Sequence, residues 1–167
     1  MYDRLTKSDI KKMEDEIEYR KLTLRHELLE EVKETRAHGD LSENFEYHAA
    51  KRAKNKNESR IRYLERMVRT AEVIEDDSAD DEVGMNNLVT VRFEDDGTEE
   101  TYKIVTSIRS DSLNNLITIE SPLGKALLKH KVGDKVKVTV NDNVSYFVTI
   151  TAIENNKDDS EDKISSY

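Results

Sequence analysis

Two rhythms of apolar residues divide the chain. Between Ile10 and Ile74 apolar positions recur at three-, four- and seven-residue steps, and between Leu88 and Ile153 they alternate. The first rhythm belongs to amphipathic helices, the second to half-buried strands. Ile10, Ile17 and Leu24 recur at seven-residue spacing, and Met13, Leu28 and Val32 extend the stripe with a drift in phase. Lys, Glu and Arg fill the other faces, as on a helix of coiled-coil type. Thr6 is placed to start this helix, with Asp9 three residues on as an acidic variant of the capping box. Gly39 predicts its stop near His38-Gly39.

A second helical run begins with Phe45, Ala49 and Ala53 as its expected inward stripe, continues through Ile61, Leu64, Val68 and Ala71, and ends near Ile74. Two helices of about 30 residues joined by a short turn form an antiparallel hairpin with arms ~45 Å long at 1.5 Å rise per residue. Residues 88–93, 100–105 and 116–119 read as strands, with a turn at Asp95-Asp96-Gly97. Ser121-Pro122 opens a short helix to about Leu128, because Ser suits the cap and Pro the first helical position. Residues 135–140 and 145–153 make a closing hairpin around Asn141-Asp142-Asn143. The expected second region is a small, mostly antiparallel sheet with one helix on a face. The organisation follows: 1–75 a helical coiled coil with an acidic tip, 76–87 an acidic linker, 88–154 the sheet domain, 155–167 a polar tail expected to be disordered.

Composition sharpens this picture. Charged residues make up 38% and hydrophobic residues 35% of 167 positions, which suits long solvated helices beside a modest core better than one large core. With no cysteine, disulfide scaffolds and Cys-based zinc sites are excluded. No apolar run approaches the ~20 residues that cross a bilayer, and the N-terminus lacks the apolar stretch of a secretory signal, so no membrane role and a cytoplasmic place are expected. The formal charge of −9 argues against coating a nucleic acid wholesale and leaves room for a local basic patch.

The chemistry-bearing segment is the helix break, His38-Gly39-Asp40-Leu41-Ser42-Glu43-Asn44. If the second helix starts at Ser42, Asp40 lies just outside its first turn and Glu43 just inside, so both carboxylates point off one end. Capping is the plain reading, since acids near a helix N-terminus complement its dipole. Leu41 then stands out as an apolar residue at a tip. Behind it, Lys51, Arg52, Lys54, Lys56, Arg60 and Arg62 oppose only Glu58, a local reversal of sign that reads either as a solvated face or as a phosphate-backbone contact. His38 and His48 flank the tip, but no HExxH motif accompanies them, and Gly124-Lys125 lacks the upstream glycine of a P-loop.

GDLSENFEYHAAK (residues 39–51) closely resembles the tip segment of the bacterial Gre transcript-cleavage factors, of GreA type. SRIRYLERMVRTAEVIE resembles the end of their second helix, and SPLGKALLKHKVGDKV their SPxGKALxGKxxGD segment. The likeness runs in order over residues 5–153. It departs at Phe45, where GreA proteins usually carry alanine, at KRAKNKNESRI, which replaces a segment nearer to REQQGFIEGRI, and in a longer tail after Ile153.

The resemblance implies an α+β protein: an N-terminal long antiparallel coiled-coil hairpin and a C-terminal FKBP-like antiparallel β-sheet domain with one helix. It implies a monomeric accessory factor, not itself an enzyme, whose partners are RNA polymerase, at the rim of its secondary channel, and the nascent RNA of the backtracked complex. Ser121 and Pro122 would face the polymerase. Asp40 and Glu43 would reach its active centre and share a Mg²⁺ there, held only in the complex, with Leu41, Ser42 and Asn44 supporting the tip and Lys51, Arg52, Lys54 and Lys56 contacting nucleic acid. No cofactor is expected in the free protein. A channel-occupying paralogue that inhibits polymerase is the alternative. A prolyl isomerase is disfavoured, because fold does not carry function and the chain has no Trp to line a proline pocket.

Overall fold

A computed structural model describes residues 2–39 and 44–166. The chain separates into two compact units, one formed by residues 1–3 and 8–72, the other by residues 4–7 and 73–167.

The first unit is a helical hairpin. One arm comprises α1 (Lys7–Tyr19), a single π-helical turn at Arg20–Leu24, and α2 (Arg25–Arg36); the other is α3 (Phe45–Thr70). The π turn accounts for the phase drift seen in the sequence. Arg25 N–H bonds the Arg20 carbonyl five residues back, which inserts an extra residue and rotates every later side chain around the axis. Met13 is fully buried, Ile10, Ile17, Leu24, Leu28 and Val32 are half-buried, and Tyr19, Leu22 and Leu29 are exposed.

The inward face of α3 differs from expectation. Phe45, Ala49 and Ala53 face solvent, while Ala50, Asn57, Arg60, Ile61, Leu64 and Met67 are buried. The true seam steps from Ala50 to Asn57 to Leu64 at seven residues. A stripe drawn from apolar residues alone skips the polar Asn57 and slides onto the neighbouring alanines.

The second unit carries a five-stranded sheet in the order β5-β4-β3-β7-β6, formed by β3 (Leu88–Phe93), β4 (Glu99–Val105), β5 (Leu116–Thr118), β6 (Lys135–Thr139) and β7 (Ser145–Glu154). Val89, Val91, Ile104, Val136, Val138, Val148 and Ile150 alternate inward, as the period of two requires. Leu123 and Leu127 of α4 (Pro122–Leu127) close this core. Three pairings are antiparallel, but β4 and β5 run parallel. The connection between them, with short 3₁₀ turns at Ser107–Arg109 and Ser112–Asn114, carries the chain back before β5 begins. The strand Arg4–Leu5 (β1), which the sequence pattern did not show, pairs with β2 (Glu72–Val73), and Ile74 N–H donates to the Leu5 carbonyl at 2.9 Å.

Two further expectations are corrected. The segment read as an acidic linker over 76–87 is core at its end: Val83, Met85, Asn86 and Asn87 are buried, and Val83 exchanges backbone hydrogen bonds with the segment after α4, donating to His130 O and accepting from Lys129 N–H. The tail, expected to be disordered over 155–167, lies along the sheet domain. Asn87 Nδ2 donates to the Asn156 carbonyl at 3.0 Å, and Ser165 N–H donates to the Ile108 carbonyl at 2.8 Å. The Asp162 carboxylate accepts from Lys103 Nζ and from Arg109 Nη1 at 2.8 Å each. Buried cations hold the tail where its polar composition predicts none of this. Among the described residues, no helix is long and apolar enough to cross a membrane.

Candidate functional site

Asp40, Leu41, Ser42 and Glu43 lie outside the described residues. The structure defines the two helix ends that they join. At the end of α2, Ala37 and His38 N–H bond Glu34 and Thr35 carbonyls at 3.2 and 3.1 Å, tightening the last turn, and Gly39 takes φ +129°, a conformation that suits glycine. Asn44 opens α3. Its Oδ1 accepts from Tyr47 N–H at 3.0 Å, and its Nδ2 donates across to the Thr35 carbonyl. One side chain thus caps α3 and clasps it to α2. The buried Thr35 hydroxyl donates in turn to the Glu31 carbonyl at 2.8 Å.

His38 Nδ1 lies 3.2 Å from Glu46 Oε2, and the His48 ring meets Tyr47 edge-on. These histidines are engaged with neighbours, and among the described residues no group of three or more His, Asp or Glu could hold a metal ion. Lys51, Arg52 and Lys56 are exposed and Lys54 is half-buried. Arg60, grouped with them in the sequence, turns inward instead.

Arg60 belongs to a polar layer inside the hairpin that the sequence reading missed. Glu16 Oε2 accepts from Arg60 Nε and Arg20 Nε, both at 2.8 Å. Arg20 Nη1 donates to Asn57 Oδ1 at 2.8 Å, and Asn57 Nδ2 returns a bond to the Arg20 carbonyl at 3.2 Å. That carbonyl also accepts from Arg25 N–H across the π turn, so the buried amide adds a second bond to it. Arg25 and Glu58 add a two-pronged pair at 2.9 Å, and Lys21 pairs with Glu65. Burial pushes the Glu16 carboxyl up, but the bonds from Arg60 and Arg20 outweigh it and hold it below the usual carboxylate range. The available signal was Asn57, seven residues from both Ala50 and Leu64.

In the second unit Ser121 caps α4: its hydroxyl accepts from Gly124 N–H at 3.0 Å and donates to the Thr118 carbonyl at 2.7 Å. Pro122 is exposed at the first helical position. Gly124 is required by packing, since a Cβ there would stand 1.9 Å from the Thr118 carbonyl oxygen. Beside Ser121 lies a shallow depression of about 440 Å³ walled by Ser110, Leu116, Ile117 and Thr118. Leu113 on its rim is 94% exposed.

Residues 4–73 match the family described as "Transcription elongation factor, N-terminal", and residues 78–155 match "Transcription elongation factor, GreA/GreB, C-term". The transcription elongation factor GreA of Thermoanaerobacter pseudethanolicus is 47% identical over 137 residues, covering 81% of this chain and 87% of the relative. That of Thermotoga neapolitana is 44% identical over 135 residues, covering 81% and 86%. Among solved structures, GreA factor homolog 1 of Thermus thermophilus aligns with a TM-score of 0.42 at 24% identity, covering 92% of this chain and 99% of that one. With both units matched and the sequence relatives spanning most of their own length, the chain belongs to the GreA/GreB family of transcription elongation factors.

Proposed function

We propose that the protein binds RNA polymerase, inserts its helical hairpin into the secondary channel, and stimulates the polymerase's own cleavage of backtracked nascent RNA. The observation that carries this reading is the clasp at the hairpin's end. Asn44 binds α3 to Thr35 of α2, so the acids Asp40 and Glu43 are joined in sequence to two helix ends that this side chain ties together. The reaction is hydrolysis of a phosphodiester: water attacks phosphorus, the P–O3′ bond to the 5′-side nucleotide breaks, and that O3′ leaves and takes a proton, so the retained RNA ends in an extendable 3′-hydroxyl and the released fragment keeps the phosphate.

Mg²⁺ fits the proposed donors by chemistry, since hard carboxylate oxygens suit it. Shared with polymerase in the complex, it would offset charge at the attacking and leaving oxygens. Asp40 and Glu43 would hold it and orient the water, with Leu41 and Ser42 completing the tip. Polymerase supplies the catalytic centre, and the factor acts as a monomeric accessory. Lys51, Arg52, Lys54 and Lys56 would meet phosphates of the extruded RNA. The α4 cap, with Ser121 buttressed by Thr118 and Pro122 exposed, would face the polymerase rim.

The test is cleavage and binding measured on the same preparations with stalled, backtracked polymerase. Asp40→Asn and Glu43→Gln keep side-chain shape and lose the charged ligand. Each is expected to remove most stimulated cleavage with polymerase affinity and melting temperature near wild type, and added Mg²⁺ is expected to restore part of the loss. Full cleavage by the double variant would leave the acids as caps. A wild-type protein that binds and only inhibits would establish the channel-blocking paralogue instead.

A further inference from the structure

The outer face of α3 behind the tip carries an arrangement that acid chemistry does not use. Phe45, Ala49, Arg52 and Lys56 stand at i, i+4, i+7 and i+11, so they share one face of the helix. All four are exposed, and the Phe45 ring is 84% so. This face is open because the hairpin seam runs through Ala50, Asn57 and Leu64. Its base is rigid: Phe45 is the first residue of a helix whose cap, Asn44, is bonded to Thr35.

A ring left this exposed forgoes the burial that ordinarily favours phenylalanine inside. A protein helix packing here would need apolar side chains at successive turns, but the positions after Phe45 hold Ala, Arg and Lys. One aromatic face followed by cations on a low, alanine-floored surface suits a single nucleic-acid strand: the ring stacks on a base of any identity, and the cations meet the phosphates that follow. Among the described residues neither Arg52 nor Lys56 has an ion-pair partner. The adjoining exposed acid, Glu46, has its carboxylate beside His38.

We propose that Phe45 is a stacking platform for an unpaired base of the extruded RNA, with Arg52 and Lys56 guiding the strand along the outer face of α3. The proposal rests on the RNA-cleavage reading above, including its cation contacts to the extruded RNA, and adds to them an aromatic contact for a base at Phe45. Phe45 then acts on capture of the strand and not on the chemical step.

The experiment uses the full chain, its own polymerase, and two complexes: one backtracked with a long extruded 3′ segment carrying 4-thiouridine, the other halted with no extruded RNA. Phe45→Ala places a good helix former at an exposed position, so the fold tolerates it. It is expected to raise the factor concentration for half-maximal cleavage of the long-extruded complex about tenfold, as the loss of one base–aromatic stack implies. The maximal rate and affinity for the halted complex are expected to stay unchanged, and Phe45→Trp is expected to restore capture. Light-induced cross-links from thiouridine are expected on α3 around Phe45. Equal behaviour of Phe45→Ala and wild type, or cross-links only elsewhere, overturns the proposal. Equal weakening of both complexes also overturns it, because the ring then docks on polymerase protein. If wild type binds and cleaves nothing, the functional reading fails by itself, and the cross-links still decide the stacking.

Discussion

Replacing Glu16 with Gln tests the polar layer that holds the hairpin in register. In the wild type one carboxylate serves two guanidiniums, Arg60 and Arg20, each at 2.8 Å. The Arg60 side chain is 7% exposed and that of Glu16 24%. Removing one partner of a fully buried ion pair costs about 3–5 kcal/mol, because the other charge is left uncompensated. Glu16 keeps some water, and Gln retains an acceptor oxygen, so the expected loss is about 2 kcal/mol. For a chain of this length that lowers the melting temperature by about 4–8 °C. The assay is loss of helical circular dichroism on heating, at neutral and acidic pH. The sign follows from the depressed Glu16 carboxyl: its stabilisation is present above the ordinary carboxylate range near 4.3 and is lost as pH falls through the lower folded value. The gap between wild type and Glu16→Gln is therefore expected to be full at neutral pH and to close at low pH, where protonated Glu16 is itself neutral. Equal melting temperatures at neutral pH, or a gap that stays constant on acidification, would refute the argument.

Two other expectations concern the sheet domain. Gly124→Ala places a Cβ 1.9 Å from the Thr118 carbonyl, so it is expected to displace α4 and cost about 1–3 kcal/mol, read as a lower melting temperature and faster hydrogen exchange in α4. Asp162→Asn removes the carboxylate between Lys103 and the fully buried Arg109. It is expected to cost about 2–3 kcal/mol and to let protease remove the tail faster; a tail cut at the wild-type rate would show that the carboxylate does not hold it.

Several parts of this protein were legible without coordinates because they follow from local rules. The strands from Leu88 onward were visible because a period of two with buried Val and Ile has one good solution beside a core. The cap of α4 was visible because Ser before Pro satisfies a free N–H and presets the backbone. The tip acids stood out because their motif lies where Gly39 interrupts two long periodic runs, although their own arrangement lies outside the described residues.

What the tertiary structure decided depends on partners distant in sequence. Asn57 and Arg60 face inward only because Glu16 and Arg20 of the other arm meet them, and no local pattern reveals that a charged residue has a buried partner 44 positions away. The same displacement turned Phe45, Ala49 and Ala53 outward and opened the face proposed to receive RNA. The parallel β4–β5 pair and the strapped tail are likewise decided by contacts across the fold. A polar tail reads as disordered until Arg109 and Lys103 supply the charges that Asp162 neutralises. Periodicity reports which residues prefer to be buried, and only the assembled fold reports which polar groups find compensation inside.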